Sequence, residues 1–367
     1  CHSDNAYWLP NLRFRGYSCK TNTVSNTAFR GYGGPQGMIA IETIIDAIAR
    51  QLGVSNDDVR RANYYSAAPR NVTPYKMEVE DNIIEQVMDE LAADVKLKEW
   101  RAEIDAFNRE NGVLKKGLAT MPVKFGISFN RPALNQAGAL VHVYTDGSVL
   151  LNHGGTEMGQ GLFIKIAQVV AETFQIDIDK IRVSATSTAK VPNTSPTAAS
   201  SGSDLNGMAA LNAAEQIKAR MITIAAVHFK VDENEIFFAA NRVYAGNRSI
   251  SFPELAQMSW ESRVSLSAAG YYKTPKIHWD LGTGTGRPFY YFVYGAAAAE
   301  VVIDTLTGEM RVLRAELLED CGKSLNPAID LGQIEGAFVQ GMGWLTTEEL
   351  WWDEHGRLKT HGPSTYK

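Results

Sequence analysis

Residues 137–161 read AGALVHVYTDGSVLLNHGGTEMGQG, and the fold class turns on this stretch. Ala139–Tyr144 and Ser148–Asn152 read as two strands. Asp146-Gly147 between them is a hairpin signal, because glycine accepts the positive φ that a tight turn demands. The second strand runs into the glycine-rich loop Gly154–Gly161, and that loop runs into a segment of helical periodicity over about 161–174. Hairpin, loop and helix in this order point to an α+β fold of mixed strands and helices rather than a regular βαβ array.

The same grammar extends outward. Val301–Asp304, Thr305–Gly308 and Glu309–Leu317 form another strand–turn–strand pattern, and Trp351-Trp352 and Leu358 flank a further turn at Glu354–Gly356. A second helix is expected over about 207–228. Upstream, Met38, Ile41, Ile44, Ile45, Ile48 and Leu52 recur at helical spacing until Gly53, and Ser55 with Asp58 resembles an N-cap. Residues 65–80 are polar with two prolines and read as a linker. One long amphipathic helix should follow, with Ile83, Ile84, Val87, Met88 and Leu91 on one side, until Gly112 stops it. The expected organisation is the C-terminal part of a first domain over 1–64, a linker over 65–80 and a second domain over 81–367 that is incomplete at its C-terminus.

The 367 residues carry 36 Lys plus Arg against 41 Asp plus Glu, a net charge of −5. This gives no basic footprint for nucleic acid. No stretch reaches the roughly 18 apolar residues that a membrane helix requires. The three cysteines, Cys1, Cys19 and Cys321, are far apart and form no CxxC pair. They cannot alone supply a four-thiolate cluster or a structural zinc. A reducing, cytoplasmic setting fits them.

Four loops rich in small residues run straight into expected helices: Phe29–Gln36, Gly154–Gly161, Thr194–Ser203 and Leu325–Gln333. Helix N-termini leave backbone N–H groups unpaired, and glycine lets a ligand approach them. Four such loops suggest a large, anionic, polar ligand gripped from several directions. The common nucleotide fingerprints fail. Gly154 and Gly159 have P-loop spacing, but Gln160 and Gly161 stand where lysine and Ser or Thr are needed. Gly159-Gln160-Gly161 lacks the third glycine of a dinucleotide fold. Arg30, among small residues, is a candidate anion clamp, with a structural ion pair as an equal reading. His153 reads as structural, and Glu157 and Glu335 as solvent-facing or cap-bonding carboxylates rather than acid–base groups. No spacing among the seven histidines suggests a protein-held metal.

Taken together, SNTAFRGYGGPQ, KFGISFNRPALNQAGALVHVYTDGSVLLNHGGTEMGQG, PNTSPTAAS and LNPAIDLGQIEGAFVQG closely resemble the molybdenum-binding portion of the xanthine oxidase/aldehyde oxidase family, on its xanthine dehydrogenase branch. The resemblance runs from Cys1 to Lys367. It implies a molybdenum–pterin cofactor, in molybdopterin or dinucleotide form, with the metal held through a pterin dithiolene and not by the protein. By motif position, Gln160 and Gln333 resemble side-chain partners of the pterin. Gly159 and Gly161 (backbone), Thr197 and Ser200 resemble further donors, and Arg30 the arginine beside the metal-oxo group. Tyr32 and Phe129 match an aromatic pair that stacks a flat heterocycle, Tyr32 replacing the usual Phe. Ala198 and Ala199 match the small pair beside the metal.

The implied reaction is oxidation of hypoxanthine and xanthine to urate with water as the oxygen source. Electrons would pass to 2Fe-2S clusters, FAD and NAD on other segments or subunits of a homo- or hetero-oligomer. The family's catalytic glutamate sits in a G-V-G-E motif that this chain lacks; it is expected beyond Lys367, and the purine-binding arginine and glutamate before Cys1. The residues leave open an aldehyde or another N-heterocycle as substrate, and a non-catalytic cofactor-binding fragment.

Overall fold

The computed structural model describes residues 1–23, 28–191 and 193–366. Residues 25–27 and Pro192 of the quoted motifs, and Lys367, lie outside the described residues.

The chain opens with helices α1 (Gly34–Leu52), α2 (Asn56–Asn63), α3 (Ile84–Asp94) and α4 (Leu97–Glu110), followed by strand β1 (Leu114–Ile127). Then come β2 (Gln136–Val143), β3 (Val149–His153), α5 (Leu162–Phe174), β4 (Ile181–Val183) and the 28-residue α6 (Gly202–Phe229). A small meander follows, β5 (Ile236–Ala239), β6 (Arg242–Ala245) and β7 (Arg248–Ser251), capped by α7 (Phe252–Glu261). The last part holds β8 (Ser267–Lys273), β9 (His278–Asp280), β10 (Thr285–Arg287), β11 (Tyr291–Asp304), β12 (Met310–Asp320) and α8 (Pro327–Thr346). The α+β class read from residues 137–161 holds, and the hairpin of β2 and β3 turns at Asp146-Gly147, where Gly147 has φ +81°.

Two cores organise these elements. The first sheet has the order β1–β11–β12, all antiparallel, and β1 pairs with β11 over its full length, from Leu114 opposite Asp304 to Ile127 opposite Tyr291. Helices α3 and α4 pack on this sheet. With Tyr7, Ile41, Ile45, Tyr65 and Tyr75 they close the first apolar core. The second sheet has the order β4–β3–β2–β8, with only the β3–β4 pair parallel, and lies against α5 and α6. Its core runs from Ala137 to Ala268. In sequence it is an insertion between β1 and β11. Ala209, Ala210, Ala213 and Ala214 on α6 are fully buried, and these small side chains let the helix approach β8 closely. A Cβ built on Gly270 would stand 2.0 Å from the Ala209 carbonyl oxygen.

Two segments differ from the sequence expectation. The stretch at 65–80, read as a linker, packs into the first core through Tyr65, Tyr75, Met77 and Val79, all buried. Its polar residues hide a periodic apolar set. The long helix expected from Ile83 is two helices, because Lys96 adopts φ +52° between α3 and α4. The reason lies in the apolar spacing. Along a straight helix the step from Val95 to Trp100 would rotate the side chain by about 140°, off the buried face. The break returns Trp100 and Ile104 to the core, where both are buried. At the C-terminal end, the expected hairpin is a single bridge from Trp352 to Leu358.

Candidate functional site

All four loops singled out in the sequence enter helices, at Gly34, Leu162, Gly202 and Pro327. They converge on a cavity of about 720 Å³ lined by residues 28–32, 158–160, 197–200 and 202–203, with Phe125, Leu162, Gln333 and Gln340. Side-chain bonds tie the loops to one another. Arg30 Nη2 donates to Gln333 Oε1 at 2.9 Å and to the Gln333 carbonyl at 3.1 Å. Gln333 Nε2 donates to the Gly159 carbonyl at 3.3 Å. The Thr156 N–H donates to Thr197 Oγ1 at 2.8 Å, joining the second loop to the third.

Nine of the eleven site residues expected from the sequence line this cavity: Arg30, Tyr32, Gly159, Gln160, Thr197, Ala198, Ala199, Ser200 and Gln333. Gly161 adjoins it at the start of α5, and its missing Cβ would meet Ile329 Cδ1 at 2.6 Å. Phe129 is not in the lining. It is half-buried, with its N–H donating to Asn135 Oδ1 and its carbonyl accepting from Asn135 Nδ2. Phe125, four residues earlier, stands in the wall instead and stacks on His2 with centroids 4.3 Å apart.

Three residues of the lining have unusual backbone conformations. Tyr32, Ala199 and Ser200 have φ of 42°, 55° and 56°, a region non-glycine residues enter at a cost. Held in that region, Ala199 and Ser200 make a sharp turn into α6, and the methyl side chains of Ala198 and Ala199 leave the cavity open.

Glu157 settles the question of its role. Its Oε1 accepts from the Gly159 and Gly161 N–H groups at 2.9 and 3.0 Å, and its Oε2 accepts from Phe163 N–H at 3.0 Å. Burial works against the charge, but the N–H groups of Phe163, Gly161 and Gly159 win and hold the carboxyl below its ordinary range. It is a helix cap, consistent with the sequence reading. The Gln160 amide is likewise braced: Oε1 accepts from Met158 N–H at 2.5 Å, and Nε2 donates to the Thr156 carbonyl at 2.9 Å.

His153 ends β3, is 2% exposed, and burial pushes it down to about 4. Its Nδ1 accepts from Gly155 N–H at 3.1 Å, so the ring is neutral and supports the loop's start. The sequence reading did not single out Phe125, Met158 or Gln340. For Gln340 a signal existed: it lies seven residues after Gln333, on the same helical face.

The donor set suits one kind of ligand. A guanidinium, amides, hydroxyls and main-chain groups recognise a polar, anion-bearing organic molecule. Among the described residues no group of three His, Cys, Asp or Glu is placed to hold a metal ion. No helix of the described residues is long and apolar enough to cross a membrane.

Comparison with known families gives this arrangement its class. Two family models, each described as a molybdopterin cofactor-binding domain, match residues 90–367 and 1–64. The chain belongs to the molybdopterin cofactor-binding domain family. Among curated relatives, it is 47% identical over 369 residues to a xanthine dehydrogenase of Dictyostelium discoideum and 48% identical over 366 residues to a xanthine dehydrogenase/oxidase of Mus musculus. Each match covers 100% of this chain and 26% of the relative, so the chain spans about a quarter of their length. Among solved structures, a reconstituted CO dehydrogenase from Oligotropha carboxidovorans shares the fold, with a TM-score of 0.77 and 24% identity over 92% of this chain and 43% of that one. The cavity fits a molybdenum–pterin cofactor: its polar donors address the organic part, and the metal can be carried by the cofactor's own sulfur ligands.

Proposed function

We propose that this chain forms the cofactor cradle and part of the substrate site of a molybdenum hydroxylase that oxidises hypoxanthine and xanthine to urate, with water as the oxygen source. The observation that carries the reading is the mutual bonding of all the expected loops around one polar cavity, through Arg30–Gln333–Gly159 and Thr156–Thr197. The xanthine dehydrogenase relatives favour the purine over an aldehyde or another heterocycle.

The cofactor supplies the redox-active metal and the oxygen-transfer chemistry. The chain's residues bind and orient. Arg30, braced by Gln333, holds a positive charge at the cavity wall. Gln160, Thr197, Ser200 and Gln333 offer amide and hydroxyl groups to the pterin, with Gly159 and Gly161 shaping the loop. Ala198 and Ala199 keep the approach clear, and Tyr32 at the rim offers one aromatic face to a flat ring. By motif position the second face is Phe129. The gap between the two family matches favours a domain boundary near residues 65–80, as a boundary in sequence and not a flexible spacer. The acid–base glutamate, 2Fe-2S, FAD and NAD are assigned to other segments or subunits, in a cytoplasmic oligomer.

Two results test this reading. Gln160→Ala removes the brace between Met158 and Thr156 and is expected to lower molybdenum and pterin content about tenfold, with thermal unfolding little changed. Equal cofactor content would contradict it. Phe129→Ala in the holoenzyme is expected to lower kcat/KM for xanthine about tenfold with the metal retained. Unaltered kinetics would pass the stacking role to Phe125, which the cavity already contains.

A further inference from the structure

Helix α8 carries Gln333 and Gln340 into the cavity, yet none of its residues is buried. With no face in a core, its position needs another cause. The contacts at its N-terminal end are polar. Lys165 Nζ lies 2.5 Å from Asp330 Oδ1, and the Ser324 hydroxyl donates to Asp330 Oδ2. Gln168 Nε2 donates to the Leu325 carbonyl at 2.7 Å, and Asn326 Nδ2 donates to Gln168 Oε1 at 3.2 Å. An aromatic contact, Phe29 on Trp344 with centroids 4.7 Å apart, comes about four turns later.

The ion pair sits close to the site at both ends. Lys165 lies four residues after Gly161 on α5, and Asp330 lies three residues before Gln333 on α8, on the same helical face. The Lys165 and Asp330 side chains are 15% and 20% exposed, so solvent screens them less than an open surface pair. Gly161 completes the joint by leaving room for Ile329.

We propose that Lys165 and Asp330 are positioning residues for the cofactor site: their ion pair latches α8 to α5 and sets the register at which Gln333 reaches Arg30 and Gly159. A slip of one residue along α8 moves each side chain by about 1.5 Å and turns it by about 100°, enough to break all the Gln333 bonds. The functional consequence rests on the cofactor reading above; the latch itself does not.

The test uses the holoenzyme that carries this chain. Asp330→Asn keeps an acceptor for Ser324 and removes the charge; Lys165→Met removes the partner charge and leaves the α8 sequence untouched. Each is expected to speed the loss of molybdenum and pterin fluorescence on dialysis about tenfold, and to speed amide hydrogen exchange at residues 329–336 by a similar factor. The double variant should be no worse than either single one. Adding Asp330→Asn to Gln333→Ala should raise the release rate by no more than about twofold, because both act through one contact; a merely structural role would multiply the effects. Unchanged exchange and retention in both single variants, or multiplied effects in the Gln333→Ala background, overturns the proposal. Hydrogen exchange is read with or without cofactor. A wild-type protein devoid of molybdenum would therefore defeat the cofactor reading, while exchange at α8 still judges the latch. If Asp330→Asn does not fold, Lys165→Met carries the test.

Discussion

Gly161→Val is expected to empty the cofactor site while both cores stay folded. Gly161 has φ +73°, a conformation that a β-branched residue adopts only under strain of about 1–3 kcal/mol. The space is closed as well. Its Cβ would stand 2.6 Å from Ile329 Cδ1 and 2.9 Å from Ile329 Cγ2, before the branch of valine is added. Turning the Ile329 side chain relieves the contact at Cδ1 but not the positive φ of residue 161, and the bulk of valine pushes α8 away or unwinds the 157–161 loop, which separates Gln333 from Gly159. The loop also loses Glu157's bond to the Gly161 N–H if it unwinds. Molybdenum and pterin content should fall by about tenfold or more, measured by metal analysis and fluorescence, with far-UV circular dichroism unchanged. Full cofactor content would contradict the packing of α8 against this loop.

Glu42→Ala should cost stability, at about 3–5 kcal/mol, although Glu42 does not line the cavity. Glu42 is 9% exposed and stands at the centre of a polar cluster under the first sheet. Its Oε1 accepts from Asn5 Nδ2 at 2.9 Å and from the Tyr7 hydroxyl at 2.6 Å, and its Oε2 accepts from Arg60 Nε at 2.9 Å. Burial and the Glu42 charge push the Tyr7 hydroxyl far above its ordinary range, so it remains a donor at any working pH. Alanine would leave those buried donors without their acceptor. Arg60 would keep only the more exposed Asp46 and Asp57, each 3.3 Å away. Glu42→Gln retains acceptor capacity but not charge, and should cost less. Urea unfolding of the three proteins checks the order; an alanine variant as stable as the wild type would refute the role of the cluster.

What could be read from the sequence was local. The turn at Asp146-Gly147, the cap at Ser55 and the four loops entering helices each depend on residues within a few positions of one another. The cap is formed by Ser55 Oγ accepting from Asp58 N–H at 3.1 Å. The lining of the candidate cavity was legible because ten of the eleven expected residues lie in those loops; Phe129 does not. Pairings across long sequence separations were not. Nothing local announces that Leu114 faces Asp304, or that Lys165 meets Asp330. The 65–80 segment misled because two prolines and many polar residues outweighed four buried apolar side chains in a short window. Phe125 escaped notice because a strand aromatic reads as core until the loops around it are in place.

The most direct test of the central claim is the cofactor content of the purified protein, made in a host that synthesises the molybdenum cofactor. The account predicts molybdenum and pterin in near-equal amounts with the chain, both lowered together, yet still measurable, in Gln333→Ala. A folded protein from that host with neither molybdenum nor pterin would contradict it.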